Sequence, residues 1–281
     1  MKKNKLVAPF LKWVGGKRQL MATIKEFIPS DYTTYYEPFV GGGALLFELQ
    51  PKKAVINDFN DELINAYKVI KENPEGLIMD LKTHENESDY FYDLRCLDRN
   101  ENYEELTSIK KASRIIFLNK TCYNGLYRVN NSGQFNSPYG RYKNPNIVNE
   151  PTIRAISKYL NTNDIKIINS DFEKSLKGIR KGAFVYLDPP YHPLSASSNF
   201  TGYVQNGFSS DEQIRLRDLC NRLHAKGVKF LLSNSATKFI EELYSDFNIT
   251  YVKANRSINS NALKRGEINE VLISNYEPSK K

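Results

Sequence analysis

The chain has 281 residues, 40% of them hydrophobic, which is enough for one large domain with an insertion and a substantial core. Lys and Arg outnumber Asp and Glu by 40 to 32, and the net charge of +8 favours an acidic partner such as nucleic acid. Three cysteines, an odd number with no C-x-x-C pair, indicate neither a disulfide framework nor a zinc site, and no apolar run approaches the ~18 residues of a membrane helix.

The opening MKKNKLVAPFLKW is basic but has no apolar stretch of signal-peptide length, so a reducing cytoplasm is the expected compartment. Residues 8–20 combine the single tryptophan, Trp13, with a Gly15-Gly16 turn and Lys17 at the start of a predicted helix. A Walker A loop needs Ser or Thr after its Gly-Lys, and Arg18 stands there instead. Two uses fit this segment: a lid in which Trp13 covers a planar group and Lys17 pairs with a ligand carboxylate, or a packed Trp beside a solvated Lys.

Tyr35 to Phe39 reads as a first strand, followed by the glycine-rich turn Val40-Gly41-Gly42-Gly43 and the helical ALLFEL. Such a turn brings backbone close to a nucleotide-like ligand, which makes Gly41 and Gly43 candidate contacts. Leu46 occupies the third glycine position of the dinucleotide fingerprint, which argues against NAD and leaves open a ligand with adenosine but no pyrophosphate. Residues 54–58, AVIND, predict a second strand ending in Asp58. That carboxylate is placed to accept two ribose hydroxyls, or alternatively to start the helix DELINAYKVI.

From about residue 70 the pattern becomes polar, charged and helical through 120, and TCYNGLYRVNNSGQFNSPYGRYKNP follows. Leu126-Tyr127-Arg128-Val129 and Gln134-Phe135-Asn136 around an Asn-Ser-Gly turn predict a hairpin. Arg128, Arg141 and Lys143 interleave with Tyr123, Tyr127, Tyr139 and Tyr142, which suits a nucleic-acid groove; a solvated hairpin is the competing reading.

Ile165 to Ile168 resumes the sheet pattern and leads to Asp171, another strand-end carboxylate. The apolar AFVYL, 183–187, predicts a buried strand, and a Ser-, Asn- and Gly-rich loop from His192 to Ser209 is long enough for a mobile lid. A helix over 211–226, a strand over 228–234, a helix over 237–245 and a strand near 249–253 follow. A basic loop with Arg256, Lys264 and Arg265 precedes a last strand over 270–276. Strands alternating with helices imply a mostly parallel sheet, here one α/β domain interrupted by an insertion.

At the end of strand 183–187 stands Asp188-Pro189-Pro190-Tyr191, where open α/β sheets carry their ligand crevice. The exocyclic amino nitrogen of adenine or cytosine is a poor nucleophile because its lone pair is delocalised into the ring. Two acceptors aimed at the amino hydrogens, the Asp188 carboxylate and the Pro189 carbonyl, would draw that pair out of conjugation. The two prolines stiffen the loop, and Tyr191 offers a flat face for a base. A plain Pro-Pro turn with Tyr as packing is the alternative.

With FLKWVGGK, EPFVGGGALLFEL, INDFNDELI, YNGLYRVN with GQFNSPYGRYKNP, SDF and DPPY in that order, the chain resembles the Dam-type DNA adenine methyltransferases, and among them the DpnM-like enzymes that modify the adenine of GATC. The resemblance implies an α/β fold: a Rossmann-like S-adenosylmethionine-dependent methyltransferase sheet with an inserted helical and β-hairpin target-recognition domain. Residues 1–69 and 165–281 would form the catalytic domain and 70–164 the insertion. The same resemblance implies that Trp13, Lys17, Phe39, Asp58 and Asp171 line the pocket for S-adenosylmethionine or its junction with the flipped base, with Asp188 touching both reactants. Tyr123 would wedge into the base stack, Asn124 would contact the strand left unpaired, and Arg128 would read a guanine. Leu126, Pro138 and Tyr142 would flank other bases and Lys12 would reach the first guanine, while Arg141, Lys264 and Arg265 are further basic candidates for DNA.

Double-stranded DNA is the expected partner of a monomer or weak dimer, with no metal and no membrane. Three roles stay open: protection against a restriction endonuclease of the same system, without a stable complex, defence of a mobile element, or regulation of the host. Methylation at cytosine C5 needs a thiolate, and none of Cys96, Cys122 and Cys220 follows a proline as in that family's motif. A cytosine N4 methyltransferase, an RNA methyltransferase and a DNA-binding module without catalysis remain as alternatives to adenine methylation.

Overall fold

The strand predicted over 183–187 is β4, Phe184–Leu187, and it sits at the centre of a seven-stranded sheet with all four side chains buried. The computed structural model describes residues 3–13, 15, 17, 19–193, 208–255 and 267–278. The other described strands are β1 Tyr35–Glu37, β2 Lys53–Asp58, β3 Asp164–Asn169, β5 Lys229–Ser235, β6 Asn248–Asn255 and β7 Glu267–Ser274. Their order is β3-β2-β1-β4-β5-β7-β6, with β7 antiparallel to both neighbours and the remaining neighbouring pairs parallel. The strand order reverses between β1 and β4, and at such a switch point two loops diverge from the carboxyl ends and open a crevice. Pro38–Gly43 and Asp188–Tyr191 are those two loops.

Alternation along β4 supplies both faces of the sheet. Phe184 and Tyr186 join one core with Leu45, Leu63, Tyr67, Phe117 and Ile156; Val185 and Leu187 join the other with Leu216, Leu223, Phe230 and Tyr244. The first core is covered by helices that include α2 Ala44–Leu49, α3 Asp61–Glu72, α6 Ser108–Thr121 and α7 Glu150–Thr162, and the second by helices that include α9 Ser210–Ala225. Helix starts follow capping chemistry: Asn60 accepts from Leu63 N–H at 2.8 Å, and Ser209 accepts from Glu212 N–H at 3.3 Å. α1, Met21–Phe27, begins four residues after the predicted start at Lys17. Gly15 has φ +77°, and the Lys17 ammonium turns back onto its carbonyl at 2.9 Å, so the chain is a turn there.

The predicted hairpin is a loop pinned at two isolated bridges, Val129↔Phe135 and Cys122↔Tyr139. The Asn130 side chain accepts from the N–H groups of Ser132 and Gln134 at 3.0 and 2.9 Å, an Asx turn that closes the tip. Four tyrosines of this region were expected to face nucleic acid, and they divide. Tyr127 is buried with Phe135, and the Tyr139 hydroxyl is held by Asn86, whereas Tyr123 and Tyr142 are exposed.

Beneath the loop, α6 buries Arg114 between Glu62 and Asp98, at 3.1 and 2.7 Å. Asp98 also accepts the Phe135 N–H at 2.7 Å, so this ionic cluster ties the loop to α3.

Candidate active site

Asp188 follows β4 directly and lies where the crevice opens. Its Oδ1 is 2.9 Å from the ammonium of Lys17, which is only 6% exposed. The same ammonium stands 4.5 Å from the centre of the Tyr191 ring, within cation–π distance. Lys17 had been read as pairing with a ligand carboxylate or as solvated; it is buried, and its partner here is Asp188. Burial pushes the Asp188 carboxyl up to about 6, the Lys17 charge and hydrogen bond opposing and Glu270 adding to the rise.

A polar network fixes the loop from behind. Gln213 of α9 donates to the Pro190 carbonyl at 3.0 Å and accepts from Asn234 of β5 at 3.0 Å. Asn234 accepts the His192 N–H at 3.1 Å, and Gln213 and Asn234 are both fully buried. The Tyr191 hydroxyl donates to Glu270 of β7 at 2.8 Å. None of these three partners carried a sequence signal, because each comes from another element and its own surroundings read as ordinary helix or strand.

Across the crevice the β1 loop is packed closely. A Cβ on Gly41 would stand 2.8 Å from the Trp13 ring, and one on Gly43, at φ +71°, would stand 2.5 Å from the Tyr67 hydroxyl. Trp13 therefore lies on this loop, and its other neighbour is Tyr127, stacked with ring centres 4.8 Å apart. Asp58 accepts N–H groups from Gly41 and Asn60, each at 3.0 Å, and burial raises its pKa against the pull of these bonds. Asn57 links three strand ends, donating to the carbonyls of Pro38 and Ser170 and accepting from Ser170 N–H. Glu37 is a further buried acid that the sequence did not single out; burial holds its pKa well above the carboxylate range, and Tyr35 donates to it at 2.8 Å.

Asp171 caps α8, Phe172–Ser175, and is ion-paired with Arg215. Phe39 packs on Phe172 with ring centres 5.4 Å apart. Asp58, Asp171 and Asp188 thus stand at the carboxyl ends of β2, β3 and β4, as the sequence predicted.

Lys12 reaches the loop at 122–139 through its backbone: Asn119 accepts the Lys12 N–H and donates to the Lys12 carbonyl, both at 2.8 Å, and donates to the Gly125 carbonyl at 3.2 Å. The Lys12 side chain is exposed there. Tyr123 is 58% exposed, and Asn124 adopts φ +57°. The Arg128 guanidinium is held by Asn136, at 2.6 Å to the side-chain oxygen and 3.1 Å to the carbonyl. Pro138 accepts from Tyr123 N–H at 2.8 Å, Leu126 is partly buried, and Arg141, at φ +53°, is exposed. Lys264 and Arg265 lie outside the described residues. Among the described residues no cluster of three His, Cys, Asp or Glu side chains is arranged for a metal, and no helix is long and apolar enough to cross a membrane.

The chain is 51% identical over 279 residues to the type II methyltransferase M1.LlaDCHI of Lactococcus lactis subsp. cremoris, covering 98% of each chain. It is 43% identical to the type II methyltransferase M.MjaIII of Methanocaldococcus jannaschii, over 96% of this chain and 99% of that one. A DNA adenine methylase of Serratia marcescens is 36% identical over 97% and 98% of the two chains. A family match over residues 13–258 decides between the amino-group chemistries left open above: the chain belongs to the D12 class of N6 adenine-specific DNA methyltransferases.

Proposed function

We propose that this adenine-specific DNA methyltransferase acts on the N6 amino group of adenine within GATC in duplex DNA, by flipping the base into the crevice and transferring the methyl group directly from S-adenosylmethionine. The observation that carries the reading is the placement of Asp188 and Tyr191 around one buried ammonium at the carboxyl end of β4. A cationic nitrogen donor already occupies a space bounded by a carboxylate and an aromatic face, which is the environment an adenine amino group requires. Asp188 and the Pro189 carbonyl accept the amino hydrogens and localise the lone pair, while Tyr191 stacks on the base.

The residues across the crevice suit the donor. Each oxygen of Asp58 takes one backbone N–H and keeps acceptor capacity for ribose hydroxyls, Phe39 of the β1 loop packs on Phe172 next to Asp171 at the end of β3, and Lys17 is a cation for a carboxylate. When bound, S-adenosylmethionine supplies an electrophilic sulfonium methyl group. The protein contributes positioning, which is worth up to ~7 to 11 kcal/mol, and it compensates an unstacking cost of a few kcal/mol.

In this reading residues 70–164 are the target-recognition insertion, with Tyr123 as wedge, Asn124 on the orphaned strand and Arg128 on guanine. Leu126, Pro138, Tyr142 and Lys12 flank or contact the remaining bases, and Arg141, Lys264 and Arg265 meet phosphates. A restriction endonuclease cleaving the same sequence is the implied companion, and a reducing cytoplasm the compartment. The test is transfer of labelled methyl from S-adenosylmethionine to duplexes with and without GATC, followed by digestion to nucleosides. Label in N6-methyladenine only with GATC is expected; equal label on both duplexes would overturn the site assignment.

A further inference from the structure

Tyr191 is held at both ends. Its backbone is fixed where Gln213 holds the Pro190 carbonyl and Asn234 the His192 N–H, and its hydroxyl is fixed by Glu270 Oε2 at 2.8 Å. A ring anchored at its Cβ and at its hydroxyl can turn about that axis but cannot swing sideways. The Lys17 ammonium, 4.5 Å from the ring centre and 2.9 Å from Asp188, shows that the ring face and the carboxylate bound one space.

We propose that Glu270 is a positioning residue for methyl transfer, holding the Tyr191 ring by its hydroxyl so that the stacking face stays beside the Asp188 carboxylate; the proposal rests on the roles assigned above to Asp188 and Tyr191. Glu270 sits opposite Ser235 of β5 and Val252 of β6, on the antiparallel strand that completes the sheet. A neutral acceptor would secure a tyrosine as well. A carboxylate there repels Asp188, so its charge has a consequence at the reactive group and not only in packing. The groups that face Asp188 are Lys17 from the amino-terminal segment, Glu270 from β7, Glu37 from β1, Tyr186 from β4 and Tyr191.

Methyl transfer to a GATC duplex is measured for Tyr191→Phe, Glu270→Ala, their double variant and Glu270→Gln, with kcat and KM for DNA separated and kcat/KM followed against pH. Each single deletion of a charge-assisted bond is expected to lower kcat about tenfold with KM for DNA changed by less than about threefold. The double variant should be no slower than the slower single, because both remove one bond. Glu270→Gln keeps an acceptor and should recover to within about threefold of the parent above neutral pH. With the repulsive charge gone, its acid limb should move to lower pH.

Losses that multiply to about a hundredfold in the double variant, or an acid limb unmoved in Glu270→Gln, would overturn the proposal. Tyr191→Phe breaks the same bond without touching β7, so the kinetic test survives a Glu270→Ala protein that does not fold. Activity retained in Asp188→Ala would instead sink the underlying reading, a result distinct from either of these.

Discussion

The Lys17 ammonium lies 2.9 Å from Asp188 Oδ1 and 4.5 Å from the centre of the Tyr191 ring, filling the space between the two side chains assigned to the base. Asp188 works as an acceptor only when ionised, and burial raises its pKa to about 6 while Lys17 holds it down. Activity should therefore rise with pH through about 6 in kcat/KM. Lys17→Met removes the cation, so the Asp188 pKa rises and the acid limb moves to higher pH. A limb that stays in place or moves down in Lys17→Met would contradict the pairing.

Asp188→Ala should abolish transfer while duplex binding persists. Asp188→Asn keeps one acceptor oxygen and should fall between the two, because loss of the charge weakens the bond. Tyr191→Ala should cost ~1 to 3 kcal/mol through lost stacking. Cys122 offers the contrast: it is fully buried, and burial pushes its thiol up to about 12. Cys122→Ser is expected to keep kcat, and an inactive but fully DNA-bound variant would point to covalent chemistry.

Arg128 is oriented by two bonds to Asn136, at 2.6 and 3.1 Å. Arg128→Ala should cost ~1 to 3 kcal/mol of discrimination at one base of the site, read as increased relative activity on substituted duplexes. Asn136→Ala should show a smaller loss at the same base. Discrimination unchanged at every position would remove Arg128 from the reading role.

With a net charge of +8, the logarithm of duplex affinity should fall linearly with log salt, with a slope near −0.9 per phosphate neutralised. Replacing Lys264 or Arg265 should flatten the line. A salt titration showing no dependence would refute the electrostatic account.

Arg114, 1% exposed, neutralises Glu62 and Asp98. Arg114→Ala strands two acids beneath the loop that carries Phe135 and should cost about 3 to 5 kcal/mol of stability in urea unfolding. A loss below about 1 kcal/mol would mean that the cluster rearranges or admits water.

Most of the sheet was legible because its strands are short runs rich in β-branched and aromatic residues and a carboxylate closes or follows three of them. Asp58, Asp171 and Asp188 could be placed at strand ends from local pattern alone, as could the glycine turn, whose positive φ angles at Gly41 and Gly43 demand that residue. The loop at 122–139 was legible as a turn but not as a surface. Alternation does not say which side faces protein, and Tyr127 and Phe135 turned inward onto a core built by α3 and α6.

From the sequence alone followed the mostly parallel α/β sheet, the position of Asp188-Pro189-Pro190-Tyr191 at the mouth of its crevice and the amino-group chemistry those four residues suit. Each of these depends on neighbours within a few residues, where periodicity and side-chain type carry the information. Tertiary structure decided which polar groups meet: Lys17 with Asp188, Tyr191 with Glu270 at a separation of 79 residues, and Gln213 and Asn234 behind the loop. Such pairs form only when the sheet brings β4, β5 and β7 side by side. Burial in that shared space then sets the Asp188 pKa, which no local pattern encodes.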